Sequence, residues 1–251
     1  MNEFVVVTNR RSGSTLLMNL LQSHPQIFAQ HETMGSAKRS TATLEWVTGE
    51  LDRFYDIKAL GLVSDKTVSF KGMPVQAPSS GEPKKAAGWK VLYEQMYQPL
   101  ADYIAKRNLK IIHLIRNDLL DTALWTRTAT AYDARYQNLF EKYGKVKVNI
   151  DETLEYIELL RKNIDYWAKK ADFSLFYEGE LTNHSENVTG FYNASKSLKL
   201  QEFLGVDYKT LVTVTEKKVK LVHESSEVVS NWDELLSEMA KRGILRYYVT
   251  R

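Results

Sequence analysis

The sequence predicts an α/β protein: a single domain with a central parallel sheet flanked by helices. Three observations lead there. Short apolar runs of strand length alternate along the chain with longer amphipathic stretches, as the units of a parallel sheet do. Two of the runs, residues 4–7 and 110–115 ("KIIHLI"), are almost wholly apolar, as strands covered on both faces are. The first run passes through a turn of small residues into a leucine-rich helical pattern, the opening move of many α/β sheets. With 251 residues, 43% hydrophobic and 26% charged, the chain is long enough to bury one large core.

The elements follow in order. Residues 4–7 read as a buried strand, and residues 14–23 place Leu16, Leu17, Leu20 and Leu21 on one helix face that stops before Pro25. Residues 44–55 read as a second helix. Residues 65–86 hold three of the five prolines and read as an irregular excursion, either a functional lid or simply a mobile loop. A short strand at 88–93, a helix at 98–106 and a central strand at 110–115 come next, the last ending in Arg116. Residues 117–130 read as helix. Residues 151–171 form a long amphipathic helix with Leu154, Ile157, Leu160, Ile164 and Trp167 facing inward. A strand at 173–177 and short helices at 195–204 and 231–241 complete the chain. No repeat or low-complexity tract interrupts it.

Composition excludes several classes of function. There is no cysteine, hence no disulfide framework, thiolate nucleophile or thiolate metal site. The first residues carry no basic leader and no apolar run is long enough to span a bilayer, so a cytoplasmic location is expected. On that expectation the sequons at Asn183, Asn187 and Asn193 are chance occurrences. A net charge of +3 is too small to imply nucleic-acid binding. Any anion specificity must come from local sites.

The turn "TNRRSGSTLL" is such a local site. A strand feeding through small residues into a helix aims several backbone N–H groups into one concavity at the positive end of the helix dipole. Gly13 permits the turn, Ser12, Ser14 and Thr15 add hydroxyls, and Arg10 and Arg11 add positive charge. The plainer alternative is a helix start capped by Ser12 or Ser14 beside solvated arginines. A Walker A loop is disfavoured, because the first glycine of its spacing and the lysine after the second are both missing.

The same stretch resembles the 5′-phosphosulfate loop of sulfotransferases that use 3′-phosphoadenosine-5′-phosphosulfate (PAPS): a basic residue, then Ser-Gly-Ser/Thr-Thr. Arg11, Ser12, Gly13, Ser14 and Thr15 fall in that register. "IIHLIRNDLLDTALW" is similar to the family's second motif, in which an arginine and a helix serine hold the 3′-phosphate. Arg116 matches the arginine, whereas Trp125 stands where the serine is expected, so that Thr122 or Thr126 would have to substitute. "GWKVLYEQ" and "HPQIFAQHE" resemble segments of bacterial carbohydrate sulfotransferases, including the trehalose type, and "FYEGEL", "QEFLGV" and "VSNWDEL" are weaker landmarks in the family's order. The resemblance implies a P-loop-NTPase-like sulfotransferase fold over residues 1–251, PAPS as donor, 3′-phosphoadenosine-5′-phosphate (PAP) as product, no metal, and a small-molecule, glycan or glycolipid acceptor. It also implies a catalytic role for Glu32 as base.

Other residues have two readings each. Arg11, Lys90 and the loop amides would stabilise charge on the transferring group, whereas the plain reading of Lys90 is a surface lysine at a strand end. His31 adjoins Glu32 and is the rival base; in a regular backbone the two point apart. His24 reads as a helix-terminal residue and His113 as a core histidine. Trp89, Trp167 and Trp232 read as core or groove-lining. Lys217, Lys218 and Lys220 would reach the 3′-phosphate or form a solvated charge run. Lys241-Arg242-Gly243 matches a family motif only superficially. A P-loop-like kinase and a non-catalytic anion-binding module are the alternative functions.

Overall fold

The computed structural model describes residues 1–32, 43–59, 68–70, 73–75, 83–128, 144–182, 191–212 and 225–245. In chain order the elements are β1 (Asn2–Thr8), α1 (Ser14–Gln22), β2 (Ile27–Glu32), α2 (Leu44–Ala59), β3 (Val68–Phe70), β4 (Met73–Val75), β5 (Ala86–Leu92), a 3-10 turn (Tyr93–Gln95), α3 (Gln98–Lys106), β6 (Lys110–Ile115), α4 (Leu119–Thr128), α5 (Ile150–Ala168), β7 (Phe173–Phe176), α6 (Ala194–Leu204), α7 (Ser225–Val228) and α8 (Trp232–Lys241). Five strands form a sheet in the order β2-β5-β1-β6-β7, every pairing parallel. The parallel sheet flanked by helices is as the sequence predicts.

Alternation along β1 explains the layers. Phe4 and Val6 point to the side where Leu17, Leu20 and Leu21 of α1 and Leu200 and Leu204 of α6 join one buried cluster. On the opposite face Val5 is in register with Trp89, whose indole Nε1 donates to the Tyr55 hydroxyl of α2 at 3.1 Å. Helices therefore cover both faces, and β1 has no polar side to show. Gly88 sits under Phe4, and a Cβ there would lie 2.4 Å from the Phe4 ring. Only glycine fits that contact.

Local chemistry sets the helix ends. Pro99 occupies the first turn of α3, where its missing N–H costs nothing. Asn193 caps α6 by accepting from the Lys196 N–H at 3.0 Å, and Gly205 ends that helix at φ 67°. Asp118 caps α4 by accepting from the Asp121 N–H at 3.0 Å.

One expectation needs correction, and β2 is a strand that the sequence reading does not assign. Within 65–86, β3 and β4 pair as a small antiparallel hairpin, so the excursion is not wholly irregular; its residues 65–67, 71–72 and 76–82 lie outside the described residues. The inward face expected of α5 is observed at Leu154, Ile157, Leu160 and Trp167, with Ile164 half-buried.

The chain gathers into two compact units. The first comprises Met1–Asn9, Gly13–Ile115 and Trp167–Thr215 and contains all the strands; the second comprises Arg10–Ser12, Arg116–Tyr166 and Glu216–Arg251.

Candidate functional site

β1 lies between β5 and β6, and the chain leaves it first for the β5 side and only later builds the β6 side. Ligands of open α/β sheets bind outside the carboxyl ends of strands at such a reversal. The chain leaves β1 at Asn9 and β6 at Arg116, at the same end of the sheet.

In the first unit, α1 begins at Gly13, whose φ of 82° is left-handed. A Cβ at this position would lie 2.2 Å from the Tyr177 ring, so sterics and backbone both demand glycine. The N-cap position of α1 is Gly13, which makes no side-chain cap, and the first turn holds no acidic residue. Lys90, inside β5 and 6% exposed, donates from Nζ to the Ser14 hydroxyl at 3.3 Å. It is not a surface lysine.

β2 carries the two candidate bases. Gln30 is in register with Trp89 and Glu32 with Lys90, which leaves His31 as the extra residue of a bulge. The regular alternation assumed for this pair does not hold here, and bulges of this kind re-aim side chains. His31 is half-buried, and its Nε2 lies 3.0 Å from the Asn19 Oδ1 of α1. Because that oxygen only accepts, the ring donates to it from Nε2.

The other histidines are structural. His24 is fully buried; its Nδ1 accepts from the Gln26 N–H at 3.0 Å and its Nε2 donates to the Asp207 carbonyl at 2.7 Å. His113 is buried, with Nε2 2.6 Å from the Tyr93 hydroxyl, and burial pushes its pKa down to about 4. The same burial raises the Tyr93 phenol above its ordinary value. Trp89 and Trp167 are core residues, and Trp232 is half-buried at the start of α8.

In the second unit lie Arg10, Arg11 and Arg116. Arg11 adopts φ 60°, an uncommon conformation for a branched-free but bulky residue, and Arg10 and Arg11 are both exposed while Ser12 is fully buried. The carbonyl of Arg11 accepts from Arg116 Nη1 at 2.6 Å, which helps to hold the strained turn. Arg116 is 8% exposed, and its Nη2 donates to Asp121 at the start of α4. Thr122 is fully buried and donates to the Asp118 carbonyl at 2.9 Å; Thr126 donates to the Thr122 carbonyl at 2.8 Å. Both hydroxyls are thus committed to their own helix. Lys241 pairs with Glu238, Arg242 with Asp151, and Gly243 turns the chain at φ 66°, so this tripeptide ends α8. Lys217, Lys218 and Lys220, with Asn183 and Asn187, lie outside the described residues.

Asp121 and Tyr177 fall within the stretches "IIHLIRNDLLDTALW" and "FYEGEL" but, like Asn19, are not singled out by the sequence, because the contact each makes is set by the fold. Among the described residues there is no cluster of three or more metal-ligating side chains and no helix long and apolar enough to cross a membrane.

No family model and no curated protein matches the sequence. Solved structures do. A sulfotransferase from Alicyclobacillus acidocaldarius superposes with a TM-score of 0.50 and 13% identity, over 98% of this chain and 94% of that one. The mouse sulfotransferase SULT7A1, crystallised with PAP, gives a TM-score of 0.41 and 13% identity, over 98% of this chain and 83% of that one. At 13% identity the first of these is a likeness of fold, and the helix-flanked parallel sheet described here is the fold of a sulfotransferase.

Proposed function

We propose that the chain is a PAPS-dependent sulfotransferase, one working domain over residues 1–251, that sulfates a hydroxyl of a small molecule, glycan or glycolipid. The observation that carries this reading is the buried Lys90 ammonium that donates to Ser14 at the start of α1. A positive helix end, a hydroxyl and a buried cation fit the oxygens of a phosphosulfate. Bound there, the donor supplies an activated sulfuryl group. The S–O bond to the 5′-phosphate breaks as a bond from sulfur to the acceptor oxygen forms, and the acceptor's proton passes to a protein base.

The chain's own residues divide this work. Arg11, Lys90 and the N–H groups of Ser12, Gly13, Ser14 and Thr15 stabilise charge on the sulfuryl and phosphate oxygens without reorganising. Glu32, whose backbone is paired opposite Lys90, takes the proton, with His31 as the rival acceptor. Arg116 binds the 3′-phosphate.

The test is transfer of labelled sulfur from PAPS to a panel of hydroxyl acceptors with and without magnesium. The reading predicts labelled product that persists in a chelator, and Lys90→Met should lower its rate by about 100-fold or more. Phosphate transfer from ATP with no sulfate transfer would replace it with a kinase.

A further inference from the structure

The helix α5 carries an apolar row besides the one that faces the core. Leu154, Ile157, Leu160 and Trp167 are its buried side. Glu152, Tyr156, Leu159, Asn163 and Tyr166 run beside them at alternating steps of four and three residues, the spacing of a helix-pairing seam. Leu159 and Tyr166 are each 50% exposed, and Tyr156 and Asn163 are half-buried. A lone exposed apolar side chain is ordinary on a protein surface, whereas several aligned in one row mark a contact face. Glu155 and Lys162 flank the row on its solvent side, one heptad apart, both exposed and opposite in sign.

We propose that this row is the contact between two copies of the chain, paired antiparallel through α5 about a two-fold axis. The inference is independent of the donor reading above. In the register whose axis passes between Ile157 and Glu158, Tyr156 packs on the partner's Leu159 and Glu155 meets the partner's Lys162. Glu152 accepts from the amide of the partner's Asn163, a polar pair that fixes the register of an otherwise apolar seam. The axis makes each contact occur twice, so the same face carries both halves of every pair, as an isologous interface requires. Parallel pairing would instead set Glu155 beside the partner's Glu155. Acidic residues early in α5 also suit the helix's own dipole. The matched spacing of Glu155, Lys162 and the apolar row is what singles out a second copy. A 19-residue helix is about 28 Å long, so the contact is small among specific interfaces, and dissociation constants on the order of 10 to 100 µM are expected.

Analytical ultracentrifugation of the full chain from about 5 to 300 µM tests this on wild type, Leu159→Lys, Glu155→Lys and Lys162→Glu. Wild type should show a monomer–dimer equilibrium, and Leu159→Lys should weaken it by about tenfold or more by placing a charge in the seam. Glu155→Lys and Lys162→Glu should each weaken it by roughly threefold to tenfold, because each sets like charges opposite one another on both sides of the axis. Mixed in equal amounts, these two variants should associate about as tightly as wild type, since every pair between them again joins opposite signs. Both substitutions are at exposed positions, so the mixture carries the test even if Leu159→Lys fails to fold. A monomer at every concentration overturns the proposal, as does a dimer that Leu159→Lys leaves intact while folded. A mixture that associates no better than its separate variants overturns the antiparallel pairing.

Discussion

Gly13 is the residue on which the loop turns, and it shows how one position couples backbone, packing and site. Its left-handed φ and the Tyr177 ring 2.2 Å from an added Cβ act in the same direction. Gly13→Ala should therefore cost about 2 to 4 kcal/mol, read from denaturant unfolding, and removal of the ring in a Tyr177→Ala background should recover part of it. A cost below about 0.5 kcal/mol would show that the loop relaxes freely. His113 makes a second prediction. Its pKa falls from 6.5 to about 4 on folding, so between those values the unfolded chain binds a proton that the folded chain refuses. Stability is full above the unfolded value and is lost as pH falls through this window, by up to about 3 kcal/mol. Unfolding measured near pH 7 and again between about 4 and 5 should show that loss in wild type and little of it in His113→Gln. An equal loss in the variant would place its origin elsewhere. At this scale the sequence identified the loop residues, Lys90 and Arg116 by type and order. It could not show that Lys90 is buried or that Asp121 holds Arg116, because both facts depend on partners 76 and 5 residues away whose meeting is set by the fold.

Among the elements, those with strong periodicity were legible: α3 and β6 lie where the pattern puts them, and α1 ends within a residue of its expected limit. β2 was not, because its apolar run is three residues long before Gln30, His31 and Glu32 follow, and the bulge at His31 breaks the alternation that marks a strand. The three-residue strands β3 and β4 are shorter than any useful window, and a proline inside β4 reads as a breaker. Helix ends can be tested one by one. Asn193 caps α6, a use of its side chain that also accounts for its presence in a sequon without invoking a glycan. Asn193→Ala should cost about 1 kcal/mol, measured by thermal or denaturant unfolding, and Asn193→Asp should restore most of it. An unchanged midpoint in the alanine variant would mean that the cap contributes nothing in solution.

For the molecule as a whole, the alternation that marks a parallel sheet flanked by helices was readable, whereas the grouping of the chain into units was not. The second unit is assembled from three stretches, one of them only Arg10–Ser12, and a three-residue piece of loop leaves no compositional boundary. The fold is like that of a solved sulfotransferase, but at 13% identity a fold does not choose a donor; the donor proposed here rests on the loop, Lys90 and Arg116. The most direct measurement is a calorimetric titration of the full chain with PAP, AMP and ATP, the last with and without magnesium. The account predicts that PAP binds at least tenfold, or about 1.4 kcal/mol, more tightly than AMP, and that magnesium leaves this preference unchanged. Tightest binding by ATP with magnesium, or equal affinities for PAP and AMP, would contradict it.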